Sequence, residues 1–358
     1  MKWSISATDV KKLEKLLDLK GKKLLFYHND ADGICSAAMM LRFFSGFESD
    51  VRKGPVMDDG FIRDLIAKKP GLVVFLDLPV DQEWKKLGKI QKALPGLRIV
   101  IIDHHIYEKN LNSKSVLHIN TRFRSDGYIP ATAMVYELLT QMGKGVKPLL
   151  WIAGIGVIGD YGWEDCAELM DECRRRYPKL IGRGQDPLKS KFWDAAEMIS
   201  AAVTLNSDAG ARKCLAFMQK AGSFEEFIAE PELGSWRKEV DEEFERVAKR
   251  FKKDSKEYPG GVIALEIRTS IGLNSAVATY VSERRPDSIV VVRREIGKGD
   301  NKQWKLSLRC QSGRVNLGGL TKKAVKNIGS GGGHAKAAGA LVKEWNVFIK
   351  RFVRLLTN

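Results

Sequence analysis

The chain has 358 residues, a length that suits two domains, and its 44% hydrophobic share is ordinary for a protein with buried cores. Lys+Arg number 60 against Asp+Glu 44, and the resulting net charge of +16 suggests a polyanionic partner. Five irregularly spaced cysteines with no C-x-x-C pair argue against a zinc ribbon or a thioredoxin-type site and for reduced thiols.

The first residues read as a charged amphipathic helix with no signal-peptide core, and no apolar run is long enough to span a bilayer. A cytoplasmic protein without membrane contact is therefore expected. Lys23 to His28 is a strand, and Asp32-Gly33 opens an Ala- and Met-rich helix that runs to Phe44. Leu72 to Leu76 is a buried strand ending at Asp77. Gln82 to Ala93 is helical, Arg98 to Asp103 is a β-branched strand, and Val116 to Ile119 is a shorter one. Ala131 to Met142 and Lys147 to Ile158 read as helices. Such alternation predicts a parallel sheet covered on both faces. Residues 167 to 257 show helical patterns and no convincing strand. Within them, Trp236, Val240, Phe244, Val247 and Phe251 mark an amphipathic helix. Pro259-Gly260-Gly261 is a candidate boundary. Strands at Val262 to Ile267, Ile289 to Arg293 and Trp304 to Leu308 then alternate with helices at Leu273 to Arg284, Leu317 to Ile328 and Trp345 to Leu356. The predicted class is α/β: a parallel-sheet domain over 1–166, a helical insert and linker over 167–258, and a smaller α/β domain over 259–358.

Four segments of the first domain place acids or imidazoles after apolar runs. They are His28-Asn29-Asp30-Ala31-Asp32-Gly33, Asp77, Asp103-His104-His105 and Asp160. Open α/β sheets place their ligands at the carboxyl edge, where these groups would gather. Carboxylates gathered there would repel one another unless divalent cations neutralised them. Oxygen and imidazole ligands suit manganese or magnesium, with zinc as a further option. Two such ions about 3.5–4 Å apart serve in-line attack on phosphorus. One carboxylate must then bridge them, and Asp77, alone at its strand end, is the natural candidate.

These four segments resemble, in order, the four motifs of the DHH phosphoesterases. Ser330-Gly331-Gly332-Gly333-His334 with Ala337-Ala338-Gly339 resembles the glycine-rich signature of the C-terminal DHH-associated domain. That domain accompanies RecJ-like exonucleases and nanoRNases. The resemblance covers both ends of the chain and leaves 167–257 uncovered. It implies a phosphodiesterase with two divalent cations, manganese preferred and magnesium as the alternative, that acts on single-stranded nucleic acid. It assigns one cation to His28, Asp30 and Asp77 and the other to Asp32, Asp77, His104 and Asp160. Asp103 would orient His104, and His105 would touch the scissile phosphate. The chain departs from the family in one place: its first ligands are spaced H-x-D-x-D, where nanoRNase-type members have H-x-x-x-D-x-D and RecJ-type members have an acid in place of His28.

Consecutive glycines can expose N–H groups as a phosphate-binding nest, so Gly331, Gly332 and Gly333 are candidate substrate contacts, with His334 and Lys336 as added donors. Arg309, at the end of a strand, is placed to hold a terminal phosphate or base. Asn316 reads as a helix cap as readily as a ligand. His118 is taken as structural, and Trp151, Trp163 and Trp193 as core residues rather than base-stacking ones. The expected protein is an exonuclease on single-stranded DNA or short RNA, in contact with a replication or repair partner, with its oligomeric state open. Bacterial RecJ proteins add an oligonucleotide-binding domain beyond this core, and its absence from the sequence leans the expectation toward attack from the 3′ end. One alternative keeps the chemistry and changes the substrate to cyclic or linear dinucleotides or adenosine bisphosphate. The other, a non-catalytic replication or repair scaffold, is disfavoured because every acid is retained.

Overall fold

Alternation of side chains along three apolar strands builds the first sheet. In the computed structural model, which describes residues 3–297 and 299–357, Leu25, Tyr27, Val74, Leu76, Val100 and Ile102 pack into one hydrophobic core. Their neighbours Leu24, Phe26, Val73, Phe75, Ile99 and Ile101 pack into another. Successive strand residues point to opposite faces, so a strand buried on both sides must be apolar throughout. Each such side chain contributes about 1.5–3 kcal/mol relative to exposure. That stability lets the strand ends carry groups that do not favour folding.

The chain divides into two units, Met1–Arg237 and Lys238–Asn358. In the first, the elements in order are α1 (Ala7–Leu17), β1 (Lys23–His28), α2 (Ala31–Phe43), β2 (Phe47–Arg52), α3 (Asp59–Lys68), β3 (Leu72–Leu76), α4 (Trp84–Ala93), β4 (Arg98–Ile102) and β5 (Val116–Ile119). There follow α5 (Ala131–Gln141), α6 (Leu150–Gly159), α7 (Ala167–Arg176), α8 (Lys191–Lys220, broken at Ser207), α9 (Phe224–Ile228) and α10 (Pro231–Lys249), whose last residues belong to the second unit. The five strands are all parallel, in the order β2-β1-β3-β4-β5. Strand β2 and helix α3 are not foreseen in the sequence. The β2 segment, Phe-Glu-Ser-Asp-Val-Arg, lies at the sheet edge with mostly exposed side chains, so it lacks the apolar run that marks its neighbours. Helix α6 is buried almost throughout and meets α2, α5 and α8. Helices α7, α8 and α9 contribute Met170, Phe192, Cys214 and Phe227 to the same core.

The second unit continues with α11 (Phe251–Asp254), β6 (Ser255–Tyr258), β7 (Val262–Ile267), α12 (Asn274–Arg284), β8 (Ile289–Ile296), β9 (Gln303–Arg309), α13 (Leu317–Ala324), β10 (Gly329–Gly333), β11 (Ala337–Val342) and α14 (Trp345–Thr357). Its sheet runs β10-β11-β9-β8-β7-β6, with only β7 and β8 parallel. The expectation for residues 167 to 257 is corrected here. Residues 167 to 257 do contain strand, since β6 begins at Ser255; it is an edge strand of four largely exposed residues and carries no apolar signal. Pro259-Gly260-Gly261 is the hairpin turn between β6 and β7, with both glycines at positive φ. The glycine run also differs from a nest: Gly329 to Gly333 form edge strand β10, antiparallel to β11. A Cβ on Gly331 would lie 2.7 Å from the Ala340 Cβ, so glycine is required for the close pairing. Among the described residues no helix is long and apolar enough to cross a membrane. All five cysteines are buried and unpaired.

Candidate metal centre

The sheet order reverses between β1 and β3. At such a point successive loops diverge and leave a crevice beyond the carboxyl ends of the strands. His28 ends β1, and Asp77 and Asp103 directly follow β3 and β4. Asp30 caps α2, its Oδ1 accepting from Gly33 N at 3.0 Å. A Cβ on Gly33 would lie 2.3 Å from the His28 carbonyl oxygen, so only glycine allows the chain to turn this tightly from strand into helix. Asp160 enters from the far end of α6. Asp77 adopts a left-handed conformation (φ 56°), a conformation unfavourable for a residue with a side chain and one that clusters at functional sites.

These segments converge. His28 Nδ1 is 2.6 Å from Asp30 Oδ2 and 3.3 Å from Asp77 Oδ2. The other Asp77 oxygen, Oδ1, is 3.2 Å from His104 Nε2. That imidazole nitrogen also lies 3.4 Å from Asp160 Oδ2 and 3.8 Å from Asp32 Oδ2. Three overlapping groups result, each with ligand atoms within 4.8 Å of one another: His28, Asp30 and Asp77; Asp32, His104 and Asp160; and Asp77, His104 and His105. Both oxygens of Asp77 and Oδ2 of Asp160 are buried without a hydrogen-bond donor. Buried acceptors without donors carry a desolvation cost that a cation would remove. The donor set, carboxylates and imidazoles without thiolate, fits manganese or magnesium. His28, Asp30 and Asp77 could hold one ion, and Asp77, Asp32, His104 and Asp160 a second.

The electrostatics point the same way. Burial, with the charges of Asp30 and Asp32, pushes the Asp77 carboxyl well up. Burial and Asp32 raise Asp160 to about 8. Burial alone would lower His28, but Asp30 and Asp77 outweigh it and hold the imidazole at about 11. A site that raises the carboxyls of Asp32, Asp77 and Asp160 while holding a histidine charged has too little positive charge for its acids, which is what a divalent cation supplies.

Asp103 differs from expectation. Its Oδ1 lies 2.8 Å from His105 Nδ1, so it orients His105 and not His104. Residues two apart on an extended chain share a side, and His104, on the opposite side, turns inward and is 2% exposed. His105 stays 41% exposed, and Asp103 outweighs burial to raise its pKa. Several groups at the site were not anticipated. Ala131 N and Thr132 N, opening α5, donate to the two Asp32 oxygens at 2.8 and 2.7 Å. Arg122 Nε donates to the His104 carbonyl at 2.7 Å, and Asn120 Nδ2 to that of His105 at 3.0 Å. The Tyr128 ring stands edge-on to His104 at 4.9 Å. The signal for Asn120 and Arg122 was available: they follow β5 as Asp77 follows β3.

The remaining expected residues lie in the second unit. Arg309 ends β9, where its Nη2 donates to Ser275 Oγ at 2.6 Å and its Nε to Thr279 Oγ1 at 3.3 Å. It is registered opposite Ala337 on β11. His334 follows β10, its N donating to Ala337 O at 2.8 Å across the turn. Gly331, Gly332 and Gly333 lie on the sheet-edge strand. Asn316 caps α13, accepting from Gly319 N at 2.9 Å. His118 is buried on β5 against Phe123. Trp151 is buried, whereas Trp163 and Trp193 are only partly so.

Comparison with known proteins agrees with this fold. A family model described as the DHH family, N-terminal domain, matches residues 22–159, and the DHHA1 domain matches 261–357. A third, N-acylglucosamine 2-epimerase, matches the largely helical residues 181–258, which hold none of the clustered acids. Comparison with curated proteins returned no match. Among solved structures, RecJ from Thermus thermophilus in complex with Mn2+ superposes with a TM-score of 0.73 at 17% identity, over 98% of this chain and 54% of that one. The chain thus spans about half of that protein's length. An exonuclease RecJ bound to manganese gives 0.70 at 16% identity, over 98% and 94%. A pGpG-specific phosphodiesterase, PggH from Vibrio cholrae, gives 0.52 at 14% identity, over 94% and 99%. Two matching domains in the family's order, on the α/β architecture that these structures share, show that the chain belongs to the DHH phosphoesterase family and carries a C-terminal DHHA1 domain.

Proposed function

We propose that the protein is a metal-dependent phosphodiesterase that removes nucleotides from the end of single-stranded DNA or short RNA. The observation that carries the reading is the split allegiance of Asp77. Its two oxygens face His28 on one side and His104 on the other, and neither accepts a hydrogen bond. Bound there, paired divalent cations supply charge stabilisation to phosphoryl oxygens and lower the pKa of water, with manganese the preferred ion. The chain's own residues do the rest. Asp32 is anchored by the α5 amides and holds its position when the local charge changes. Asp103 favours the protonated form of His105, and in that form the exposed imidazole donates to a phosphate oxygen as negative charge grows during attack. Arg122 and Asn120 fix the backbone of both histidines.

The DHHA1 unit suits a strand-holding role. Residues 259–358 contain 18 Lys and Arg and 6 Asp and Glu, so +12 of the net +16 resides there. Such a surface attracts a phosphate chain and makes binding salt-dependent. Gly331 to Gly333, His334 and Arg309 are the proposed contacts. The fold shared with a pGpG-specific phosphodiesterase supports a second reading, in which the substrate is a linear dinucleotide.

The test is a digestion series with 5′- and 3′-labelled DNA and RNA, from dinucleotide to 20-mer, in manganese, magnesium or EDTA. Stepwise shortening of the longer strands in either metal, lost in EDTA, is expected, and the label released first reads the polarity. Cleavage confined to dinucleotides would move the assignment to the second reading. Full activity in EDTA would remove the metal centre.

A further inference from the structure

A cavity of about 330 Å³ shares Asp30 with the acid cluster. Ala31, Gly159 and Ala196 line it with almost no side chain. A Cβ at Gly159 would lie 2.7 Å from that of Ala31 and 3.1 Å from that of Ala196, so the helices approach this closely beside the cavity because Gly159 has no side chain. The opposing wall is aromatic. Tyr161 and Trp193 both line it, their ring centroids 5.6 Å apart at 63°, and Trp163 stands 5.7 Å from Tyr161.

Tyr161 is the unusual member. Helix α6 ends with Tyr161 N donating to Ile158 O and Gly162 N donating to Val157 O, and φ of Tyr161 is 59°. Helix termini of this form place Gly, or sometimes Asn, at the left-handed position, because a Cβ is disfavoured there. Here the position holds a large ring that is 60% exposed, one residue after Asp160. The ring packs against both tryptophans and still keeps most of its area open to solvent. A flat exposed ring, fixed by two tryptophans beside a cavity of ligand size, is what base stacking requires.

We propose that this cavity receives the nucleobase of the nucleotide next to the scissile phosphate, stacked on Tyr161. The inference rests on the phosphodiesterase reading above and adds a requirement for a base, which a cleaver of bare phosphate esters would not have. Asn29, beside the cavity's shared acid, offers an amide that can meet any base edge as donor or acceptor.

The test compares a 10-mer with the same strand carrying an abasic residue at the end from which the wild-type protein digests, both in manganese. Stacking on an aromatic residue predicts that the wild type loses about 5- to 150-fold in kcat/KM on the abasic strand. Tyr161→Asn tolerates the left-handed backbone while removing the ring, and should bring that ratio close to one. Tyr161→Phe should keep it. A Tyr161→Asn protein that melts like wild type and still shows the full ratio would overturn the stacking site. So would a wild type that digests both strands at the same rate. A wild type that digests neither strand while hydrolysing a bis-nitrophenyl phosphate diester would instead overturn the nucleic-acid reading on which the site depends.

Discussion

Asp77→Asn separates the two things a buried carboxylate can do. Asp77 is 1% exposed and has a left-handed backbone, and both its oxygens lack donors. Asparagine enters that backbone region readily, so the substitution removes charge without the strain that alanine would add. It also removes the group that faces both halves of the cluster. Charge stabilisation by metal is worth several kcal/mol at the transition state, and losing about 4 kcal/mol corresponds to roughly a 10³-fold fall in kcat. The metal-free fold should respond in the opposite direction. Burial and the charges of Asp30 and Asp32 hold the Asp77 carboxyl high, so neutralising it relieves repulsion. The assays are oligonucleotide hydrolysis in manganese and thermal unfolding with and without the ion. Expected are a roughly 10³-fold slower enzyme, a higher Tm in EDTA and a smaller rise on adding manganese. Turnover within tenfold of wild type, or a lower metal-free Tm with the manganese shift intact, would refute the bridging role.

The stabilisation by manganese should grow with pH. Asp160 titrates at about 8 in the metal-free fold and near 4 when unfolded, so the folded state binds the extra proton across that window and loses stability as pH rises. His28, held at about 11, acts in the same direction above about 6.5. The ion needs both groups deprotonated, so the manganese shift in Tm at pH 8 should exceed that at pH 5.5; an unchanged or smaller shift would contradict the ligand set. Asp103→Asn should cost about 10- to 100-fold in kcat, less than His104→Ala, and should lower the His105 pKa read by NMR; an unmoved His105 titration would place Asp103 in another role. Arg309→Ala combined with His334→Ala should lose more kcat/KM on an oligonucleotide than on an activated diester, with a shallower salt dependence of binding. Equal losses on both would assign these residues to the fold.

The central strands and the acids beyond them were legible because each signal is local. A strand buried on both faces must be apolar along its whole length, and a group following it must lie at the carboxyl edge. His28, Asp77 and Asp103 needed no more than that. Strands β2 and β6 escaped because edge strands bury little and need no apolar run. The backbone form of the glycine run was ambiguous for a related reason: a nest and a close strand pairing both require the missing Cβ, and only β11 lying against it distinguishes them. The pairing of Asp103 with His105, and not His104, depends on how the chain leaves β4, which residue types do not encode. Tyr161 is the plainest case. In sequence it is one aromatic residue in a loop; only the convergence of α2, α6 and α8 gives it a cavity, and only the left-handed end of α6 shows that glycine would have been the easier residue. Local chemistry is written residue by residue, whereas the short distances among His28, Asp77, His104 and Asp160 arise from packing between segments far apart in the chain.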